Sequence, residues 1–320
     1  MTMEGHLLGE RRITTVIDDR GAGKRLDYWL AKRFTYLSRN QWQQQIKAGK
    51  LLLNERTSRS SRILKLNDQV SFISDRAEPP VIMEYSVLFE DEYFFVVNKG
   101  GNLPCHPAGP FFKHTMWYDM TEKYGKVFMA NRLDRETSGL MLVGKTSAIA
   151  TQLAKLFTSH NITKKYQAIV FGQFTAAITA DGCLINDMMS EVRKKRQFIF
   201  EQPEPLLDKA ESAITQLNPL VQFNDFSLVE AVPSTGRLHQ IRATLYSLGY
   251  PLVGDKLYGP DDTIYLRLAR DEISTVDREK LLLPRQALHA TTLEFIHPIT
   301  SKAMKFESPL PQDMKNFIPN

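Results

Sequence analysis

The sequence predicts an α+β protein in which a small α/β domain precedes a larger domain built on a mainly antiparallel, mixed sheet. The chain of 320 residues is long enough for two domains. Its positive charge is concentrated in one N-terminal segment. In the remainder, predicted strands outnumber helices and do not alternate regularly with them, which argues against a doubly wound fold. We therefore predict a small domain over residues 1–75, a linker over 76–85 and a large domain over 86–320.

The composition is typical of a globular protein in a reducing compartment. Hydrophobic residues make up 42% and charged residues 24% of the chain, which is ordinary for globular domains. No run of about 18 apolar residues occurs, so we expect no membrane span. The stretch Met1–Arg12 lacks the apolar core of a signal peptide. Only Cys105 and Cys183 are present, far apart, which argues against a disulfide framework and favours the cytoplasm.

Local patterns predict two helices and two strands in the small domain. Apolar residues at helical spacing predict an amphipathic helix over Arg25–Phe34. Ser38 is a favourable N-cap for a second helix, and Gly49 is placed to end it. Short strands are predicted at Lys50–Asn54 and Gln69–Ile73. About fifty residues with these elements are enough for a small folding unit.

The same segment holds the whole positive excess of the protein. Residues 20–66 contain twelve Lys or Arg and two acids, a balance of +10, whereas the whole chain carries +5, so the remainder carries −5. Such polarisation is typical of a module that binds a polyanion, with a solvated basic face as the alternative. Because the segment also has the patterns of a folded domain, we favour nucleic acid as its partner. The basic residues predicted on its polar faces are Lys32, Arg33, Arg39, Lys47 and Lys50.

In the large domain, the patterns locate several elements that flank polar motifs. A buried strand is predicted over Tyr93–Val97, and Thr146 or Ser147 can cap a following helix. Lys164–Gly172 has the alternation of a strand with one apolar face. A later helix is predicted to end at Gly249.

The stretch 131–139, Asn-Arg-Leu-Asp-Arg-Glu-Thr-Ser-Gly, carries more information than any other. It places Asp134 between apolar flanks at 127–130 and 140–144. Burial of an ionised carboxylate costs several kcal/mol unless a cation or hydrogen bonds compensate for it. Asp134 is therefore either a structural ion-pair partner or a reactive carboxylate in a cleft. Taken alone, the stretch favours the structural pair by about two to one.

Three further segments place polar residues beside apolar ones: Thr163–Tyr166, Ser234–Arg242, and Leu288–Ala290 with His297. Each alone has a structural interpretation, with Tyr166 as a core tyrosine. The histidines at 239, 289 and 297 are expected to be hydrogen-bonded, because their spacing does not match a zinc pattern, and no metal site is predicted. The run Arg193–Arg196 is most simply a solvated charged stretch that could touch RNA.

Together these segments resemble the RluA-type pseudouridine synthases, and the resemblance covers nearly the whole chain. Residues 20–73 resemble the small ribosomal-protein-like RNA-binding domain that precedes the catalytic domain in many members. Residues 131–139 resemble the family's catalytic stretch, His-Arg-Leu-Asp-x-x-Thr-Ser-Gly. Two positions depart from the family pattern: Asn131 stands where His is usual, and Leu238 stands where Thr or Ser is usual. The other matching segments are Lys99–Pro107, Lys164–Tyr166, Thr235–Arg242 and Gly254–Gly259.

The resemblance implies a pseudouridine synthase fold and an enzyme that isomerises uridine in RNA to pseudouridine. No cofactor and no metal are implied, since the reaction has no redox change and imports no group. Asp134 is implied as the essential carboxylate, acting as nucleophile or base, and Arg237 as the cation held against it. Tyr166 is implied to stack on the detached uracil and to move a proton. Arg132 is implied to occupy the space left by a flipped base or to hold a phosphate.

The substrate suggested by the resemblance is large-subunit ribosomal RNA, because many members that modify it carry the small domain, and tRNA is the alternative. A non-catalytic RNA-binding or ribosome-assembly factor on the same fold ranks behind, because Asp134, Tyr166 and Arg237 are all present. A metal hydrolase lacks the ligand spacing. We expect a monomer with no obligatory protein partner.

Overall fold

The computed structural model describes residues 11–19, 21–34, 37–74, 78–108, 110–192, 194–200, 210–269 and 272–319. The chain divides into two compact units. The first extends to Pro79 and includes Ala108–Phe111, and the second comprises Pro80–Pro107 and Phe112–Asn320. The division between Pro79 and Pro80 falls within the predicted linker. Residues 1–10, which bear on the signal-peptide prediction, and linker residues 76 and 77 lie outside the described residues.

The first unit is an antiparallel sheet of four described strands with two helices. The strand order is β1-β4-β2-β3. Both predicted helices are confirmed, and α2 begins with a capping box between Ser38 and Gln41. The hydrophobic core of the first unit is centred on Leu26, Leu30 and Trp42, all fully buried. The elements are β1 (Arg11–Val16), α1 (Leu26–Arg33), α2 (Arg39–Lys47), β2 (Leu51–Leu53), β3 (Arg56–Thr57) and β4 (Gln69–Ser74).

The second unit begins with four strands and two helices and continues into a longer run of strands. Its first elements are β5 (Tyr85–Glu90), β6 (Phe94–Lys99), α3 (Met116–Tyr124), β7 (Phe128–Met129), β8 (Ser138–Gly144) and α4 (Ser147–Thr158). Its strand-rich middle comprises β9 (Ile162–Phe171), β10 (Ile178–Asn186), β11 (Arg196–Ile199), β12 (Glu211–Phe223) and β13 (Phe226–Pro233). Its last elements are α5 (Gln240–Ser247), α6 (Thr263–Ala269), α7 (Thr275–Leu281), β14 (Leu288–Ile296), β15 (Ala303–Glu307) and α8 (Gln312–Phe317).

These strands form one mixed sheet of eleven described strands. Its main order is β11-β10-β12-β13-β9-β14-β8-β6-β5, with β15 beside β14 and β7 beside β8. The strand pairs described are antiparallel except that of β8 and β14, which is parallel. The predicted α+β fold with a mainly antiparallel mixed sheet is therefore confirmed.

The parallel pair of β8 and β14 depends on a glycine. Gly139 has a φ of +114°, and a Cβ built on it would lie 2.2 Å from the carbonyl oxygen of Ala290. Only glycine tolerates that φ and leaves room for the neighbouring backbone. Gly139 is both a residue of β8 and the last residue of the stretch 131–139, here called the Asp134 stretch, so this contact fixes where the stretch ends.

Helix α5 covers the strands at the centre of the sheet. Its apolar residues Ile241 and Leu245 pack with Ala168 of β9 and Val229 of β13. In the first turn of the same helix, Arg242 contacts Asp134. Among the described residues, no helix has the length and hydropathy that crossing a membrane requires.

Candidate active site

A single arginine joins two carboxylates at the centre of the site. Nη1 of Arg242 donates to Oδ2 of Asp134 at 2.7 Å. Nε and Nη2 of the same guanidinium donate to Asp255 at 2.7 Å and 2.9 Å. Asp255 is fully buried, and it also accepts the backbone N–H groups of Leu257 and Tyr258, each at 2.9 Å. Asp255 thus fixes the orientation of the Arg242 guanidinium that binds Asp134.

Both carboxylates are ionised at neutral pH. Burial alone raises the pKa of Asp134, but the charge of Arg242, then that of His239, and the hydrogen bond of Arg242 outweigh burial and hold that pKa below its ordinary value. The pKa of Asp255 is lowered by Arg242 against the same opposing effect of burial. The side chain of Asp134 keeps 30% of its surface exposed. Asp134 is therefore a charged group that is partly exposed to solvent.

The prediction that Arg237 is the cation against Asp134 is wrong. Its side chain is exposed, and its Nε donates to the carbonyl of Ser212 at 3.1 Å. Arg237 precedes α5, whereas Arg242 lies in the first turn of the helix and faces the carboxylate. The available signal was that Arg242 falls within the predicted helix that ends at Gly249, whereas Arg237 falls in the segment before it.

The turn before α5 is anchored by a buried glutamine. Oε1 of Gln240 accepts the hydroxyl of Thr235 at 2.8 Å and the backbone N–H of Arg237 at 3.0 Å. Its Nε2 donates to the carbonyl of Ile214 and the hydroxyl of Thr215 on β12. The turn before α5 is therefore tied to β12 of the sheet through one side chain. Leu238, the departure from the family pattern, is 47% exposed on this turn.

The Asp134 stretch is held from both ends. Oδ1 of Asn131 accepts the backbone N–H of Leu142 at 2.9 Å, which ties the start of the stretch to β8. The buried Nζ of Lys99 donates to the carbonyls of Gly100, Leu103 and Arg135 at 2.7, 2.9 and 3.0 Å. Burial lowers the pKa of Lys99 to about 8. The unusual Asn131 therefore has a structural partner on β8.

Tyr166 lies in the middle of the sheet, on β9 between Ala231 of β13 and Ala290 of β14. Burial, and then the charge of Asp134, raise the pKa of Tyr166 to about 12. The tyrosine is therefore within electrostatic range of Asp134, and its phenol stays protonated at neutral pH. The structure brings these two predicted residues together.

Arg132 lies at the exposed rim of the same site. Its Nη1 is 3.0 Å from Nε2 of His106. Burial, and then the charge of Arg132, lower the pKa of His106, so the neutral ring accepts from the guanidinium. Arg132 thus presents an exposed cation two residues from Asp134.

Two of the remaining histidines have structural hydrogen bonds, as expected. His289 is paired through Nδ1 with the hydroxyl of Ser138 at 2.8 Å. Nε2 of His297 is 2.9 Å from Asp91. Among the described residues, no group of three or more His, Cys, Asp or Glu is placed to hold a metal ion.

The interpretation of residues 193–196 as solvated is wrong for Lys195 and Arg196, which are 3% and 9% exposed. Lys195 donates to Asp262 at 2.7 Å, and Arg196 forms an ion pair with Glu211. Lys194 is exposed, and Arg193 lies outside the described residues. Pairing with acids distant in sequence is what permits this burial.

The five basic residues predicted in the first unit have different surroundings. Lys32, Arg33, Arg39 and Lys47 are exposed, and Lys50 is half-buried. Lys32 and Arg33 line a groove of about 450 Å³ together with Lys24, Asp18 and Trp29. Arg39 instead donates twice to the buried Asp27, at 3.0 and 3.1 Å.

Asp27 also accepts two bonds from Arg25 and one from Gln43. Its pKa is well below the ordinary value because these hydrogen bonds outweigh the effect of burial. The positive charge of Arg39 is therefore partly compensated, whereas Lys32 and Arg33 lie along an open, basic groove.

Comparisons with known proteins agree with this geometry. The RNA pseudouridylate synthase family matches residues 93–247, which include Asp134, Tyr166 and Arg242 of the site described above but not Asp255. The S4 domain family matches residues 24–70 in the first unit.

Full-length relatives are similar along nearly the whole chain. A protein of Blochmanniella floridana named ribosomal large subunit pseudouridine synthase D is 30% identical over 321 residues, covering 95% of this chain and 96% of its own length. A protein of Pseudomonas aeruginosa with the same name is 31% identical over 301 residues, covering 91% of this chain and 90% of its own. A Bacillus subtilis protein named as an uncharacterized RNA pseudouridine synthase is 30% identical over 325 residues, covering 97% and 98%.

Solved structures agree with the fold of the second unit. Human RNA pseudouridylate synthase domain containing 4 is 26% identical, with a TM-score of 0.54 over 72% of this chain and 90% of that one. The chain belongs to the RNA pseudouridylate synthase family and is an enzyme that isomerises uridine in RNA to pseudouridine.

Proposed function

We propose that the chain forms pseudouridine in large-subunit ribosomal RNA, with Asp134 as the reacting carboxylate. One observation carries the assignment of Asp134. Its Oδ2 is held by Arg242, while its Oδ1 makes no hydrogen bond to the described residues. Two of the relatives named above, those of Blochmanniella floridana and Pseudomonas aeruginosa, are named for the large ribosomal subunit, which supports this RNA as the substrate.

The reaction needs a charged oxygen next to the ribose. The bond between C1′ and N1 of uracil breaks, the base turns, and C1′ bonds to C5. A proton leaves C5 and N1 gains one, so the product is an isomer of the substrate. Asp134 acts on the ribose either as a nucleophile at C1′ or as a base, and both roles need the ionised form that Arg242 maintains.

Tyr166 and Arg132 complete the proposed site. The protonated phenol of Tyr166 provides a rigid aromatic face for the detached uracil and a proton to exchange. The target uridine must leave its stack to reach Asp134, at a cost of a few kcal/mol. The exposed guanidinium of Arg132 is suited to hold a phosphate or to fill the vacated position.

The basic groove of the first unit supplies affinity for RNA. Phosphate contacts position a nucleic acid without reading its sequence. Lys32 and Arg33 are exposed cations on this groove, so they are the side chains of the unit best suited to that role.

Replacing Lys32 and Arg33 together with Gln is expected to weaken RNA binding and flatten its salt dependence. Each lost phosphate contact reduces the slope of log K against log salt by about 0.7 to 0.9. The measurement is the affinity for a large-subunit RNA fragment across a salt series. The control is Lys302→Gln with Lys315→Gln, which removes the same charge from exposed positions of the second unit. Equal slopes for the two variants would contradict this assignment.

The RNA target is tested by mapping pseudouridine in total RNA from cells with and without the gene. We expect one or more large-subunit sites to lose pseudouridine and to regain it only with the wild-type chain. Restoration is not expected with Asp134→Asn. Loss confined to tRNA would overturn the proposed substrate while leaving the reaction intact.

A further inference from the structure

His239 has an unusual main-chain position beside the reacting carboxylate. It precedes α5 in the left-handed region, with a φ of 56° and a ψ of 22°. Such a conformation is uncommon for a residue other than glycine, although histidine is among the side chains that adopt it more often. Nε2 of His239 lies 4.0 Å from Oδ1 of Asp134, the oxygen that Arg242 does not bind. This distance is too long for a hydrogen bond. Nε2 of His239 and Oδ1 of Asp134 are therefore neighbours that are not bonded to each other.

The other ring nitrogen has a defined partner. Nδ1 of His239 lies 3.0 Å from the phenol oxygen of Tyr258. That oxygen already accepts the backbone N–H of Arg196 at 2.8 Å. Tyr258 is fully buried, and a buried hydroxyl needs an acceptor for its own proton. Within the described part of the chain, Nδ1 of His239 is the acceptor available to it.

This arrangement selects one tautomer of the histidine. Since Nδ1 accepts from Tyr258, it carries no proton, and the single proton of the neutral ring is on Nε2. Burial, and then the charge of Arg242, lower the pKa of His239 to about 4. Lys194 also lowers this pKa, whereas Asp134 and Asp255 oppose the shift. The ring is therefore neutral at neutral pH.

We propose that His239 is a substrate-binding residue whose Nε2–H donates to an oxygen of the bound uridine beside Oδ1 of Asp134, with Tyr258 as the residue that fixes its tautomer. The proposal rests on the active site proposed above. Because the donor is neutral, it binds an oxygen without giving Asp134 a second cation, and it leaves the pairing with Arg242 unchanged.

The tautomer is tested in the wild-type protein without any RNA. The full chain is labelled with ¹⁵N-histidine, and the His239 signals are identified by their loss in His239→Gln. We expect a protonated Nε2 and an unprotonated Nδ1 between about pH 6 and pH 8. In Tyr258→Phe, the Nδ1 signal is expected to shift because its hydrogen bond is lost. A proton on Nδ1, or a doubly protonated ring in this range, overturns the proposal.

The donor is tested by three replacements of His239 that separate its two nitrogens. Gln places an amide N–H near the position of Nε2. Asn is short, tolerates the left-handed conformation, and reaches only the position of Nδ1. Leu has no polar atom. We expect single-turnover rates within about 10-fold of wild type for Gln and losses of about 100-fold for Asn and Leu. The affinity for the whole RNA is expected to change little in all three, because phosphate contacts supply most of it and His239 contacts only the target uridine.

The outcomes distinguish this inference from the proposed function. Suppose that the wild-type chain is active and the rate of His239→Asn equals or exceeds that of His239→Gln. His239 then only supports the turn, and the proposal is overturned. Wild-type rates in the Leu variant overturn it as well. A wild-type chain inactive on ribosomal RNA contradicts the proposed substrate instead, and the ¹⁵N measurement still tests the tautomer.

Discussion

Replacing Asp134 with Asn is expected to abolish pseudouridine formation while the protein stays folded and binds RNA. The amide keeps the shape of the side chain but can neither attack C1′ nor accept a proton, so we expect a rate loss of about 10³-fold or more. Folding is expected to survive because Arg242 still pairs with Asp255. The measurement is tritium release from RNA labelled at C5 of uridine, followed under single-turnover conditions.

The matched control for this variant is Asp119→Asn. Asp119 is a partly exposed carboxylate of α3 that pairs with Lys123 at 2.8 Å and accepts from Tyr85 at 2.6 Å. Its replacement removes one charge from the same unit and is expected to leave the rate within about two-fold of wild type, as is usual for a change outside the site. Activity of Asp134→Asn near that of the control would refute the role of Asp134.

Replacing Arg242 with Gln is expected to affect both stability and activity. Asp255 would remain buried with no cation, at a cost of about 3–5 kcal/mol in the free energy of unfolding. The pKa of Asp134 would rise, because the charge and hydrogen bond of Arg242, which lower it, would be lost. A carboxylate is active when ionised, so the acidic limb of the pH–rate profile is expected to move to higher pH.

A double variant separates these two effects. Arg242→Gln with Asp255→Asn removes both members of the buried pair, so no unpaired charge is left at Asp255 and most of the stability should return. The altered pH–rate profile is expected to remain, since Asp134 still lacks its cation. The control is Arg267→Gln with Asp277→Asn, which breaks another two-bond Arg–Asp pair, between α6 and α7. A profile unchanged from wild type in the Arg242 double variant would contradict the electrostatic role of Arg242.

Local chemistry made several elements predictable from sequence. Ser38 and Gln41 form a capping box within four residues, and Thr146 accepts from the backbone N–H of Ile149 three residues later. The strand predicted over Lys164–Gly172 corresponds to β9, which begins two residues earlier and ends one residue earlier. In each case the residues whose interactions define the element lie close together in the sequence. The local sequence pattern is therefore enough to predict the element.

The partners of the charged residues were not predictable in this way. Arg237 and Arg242 occur in one motif, and which of them faces Asp134 depends on how Gln240 ties the turn to β12. Asp255, which orients Arg242, showed no sign of this pairing in the sequence. Asn131 departs from the family pattern, yet its hydrogen bond to Leu142 of β8 was invisible without the register of that strand.

The pairing of Arg242 with Asp255 has a consequence for charge balance during turnover. In either proposed role, Asp134 temporarily loses its negative charge, by forming an ester with ribose or by taking a proton. At that moment a guanidinium whose only partner was Asp134 would become an uncompensated cation in a buried place. Because Asp255 keeps both of its bonds to Arg242, the three groups change from a net charge of −1 to zero, and no unpaired cation is left in the interior. The permanent carboxylate thereby allows the reacting one to change its charge without a penalty for the surrounding protein.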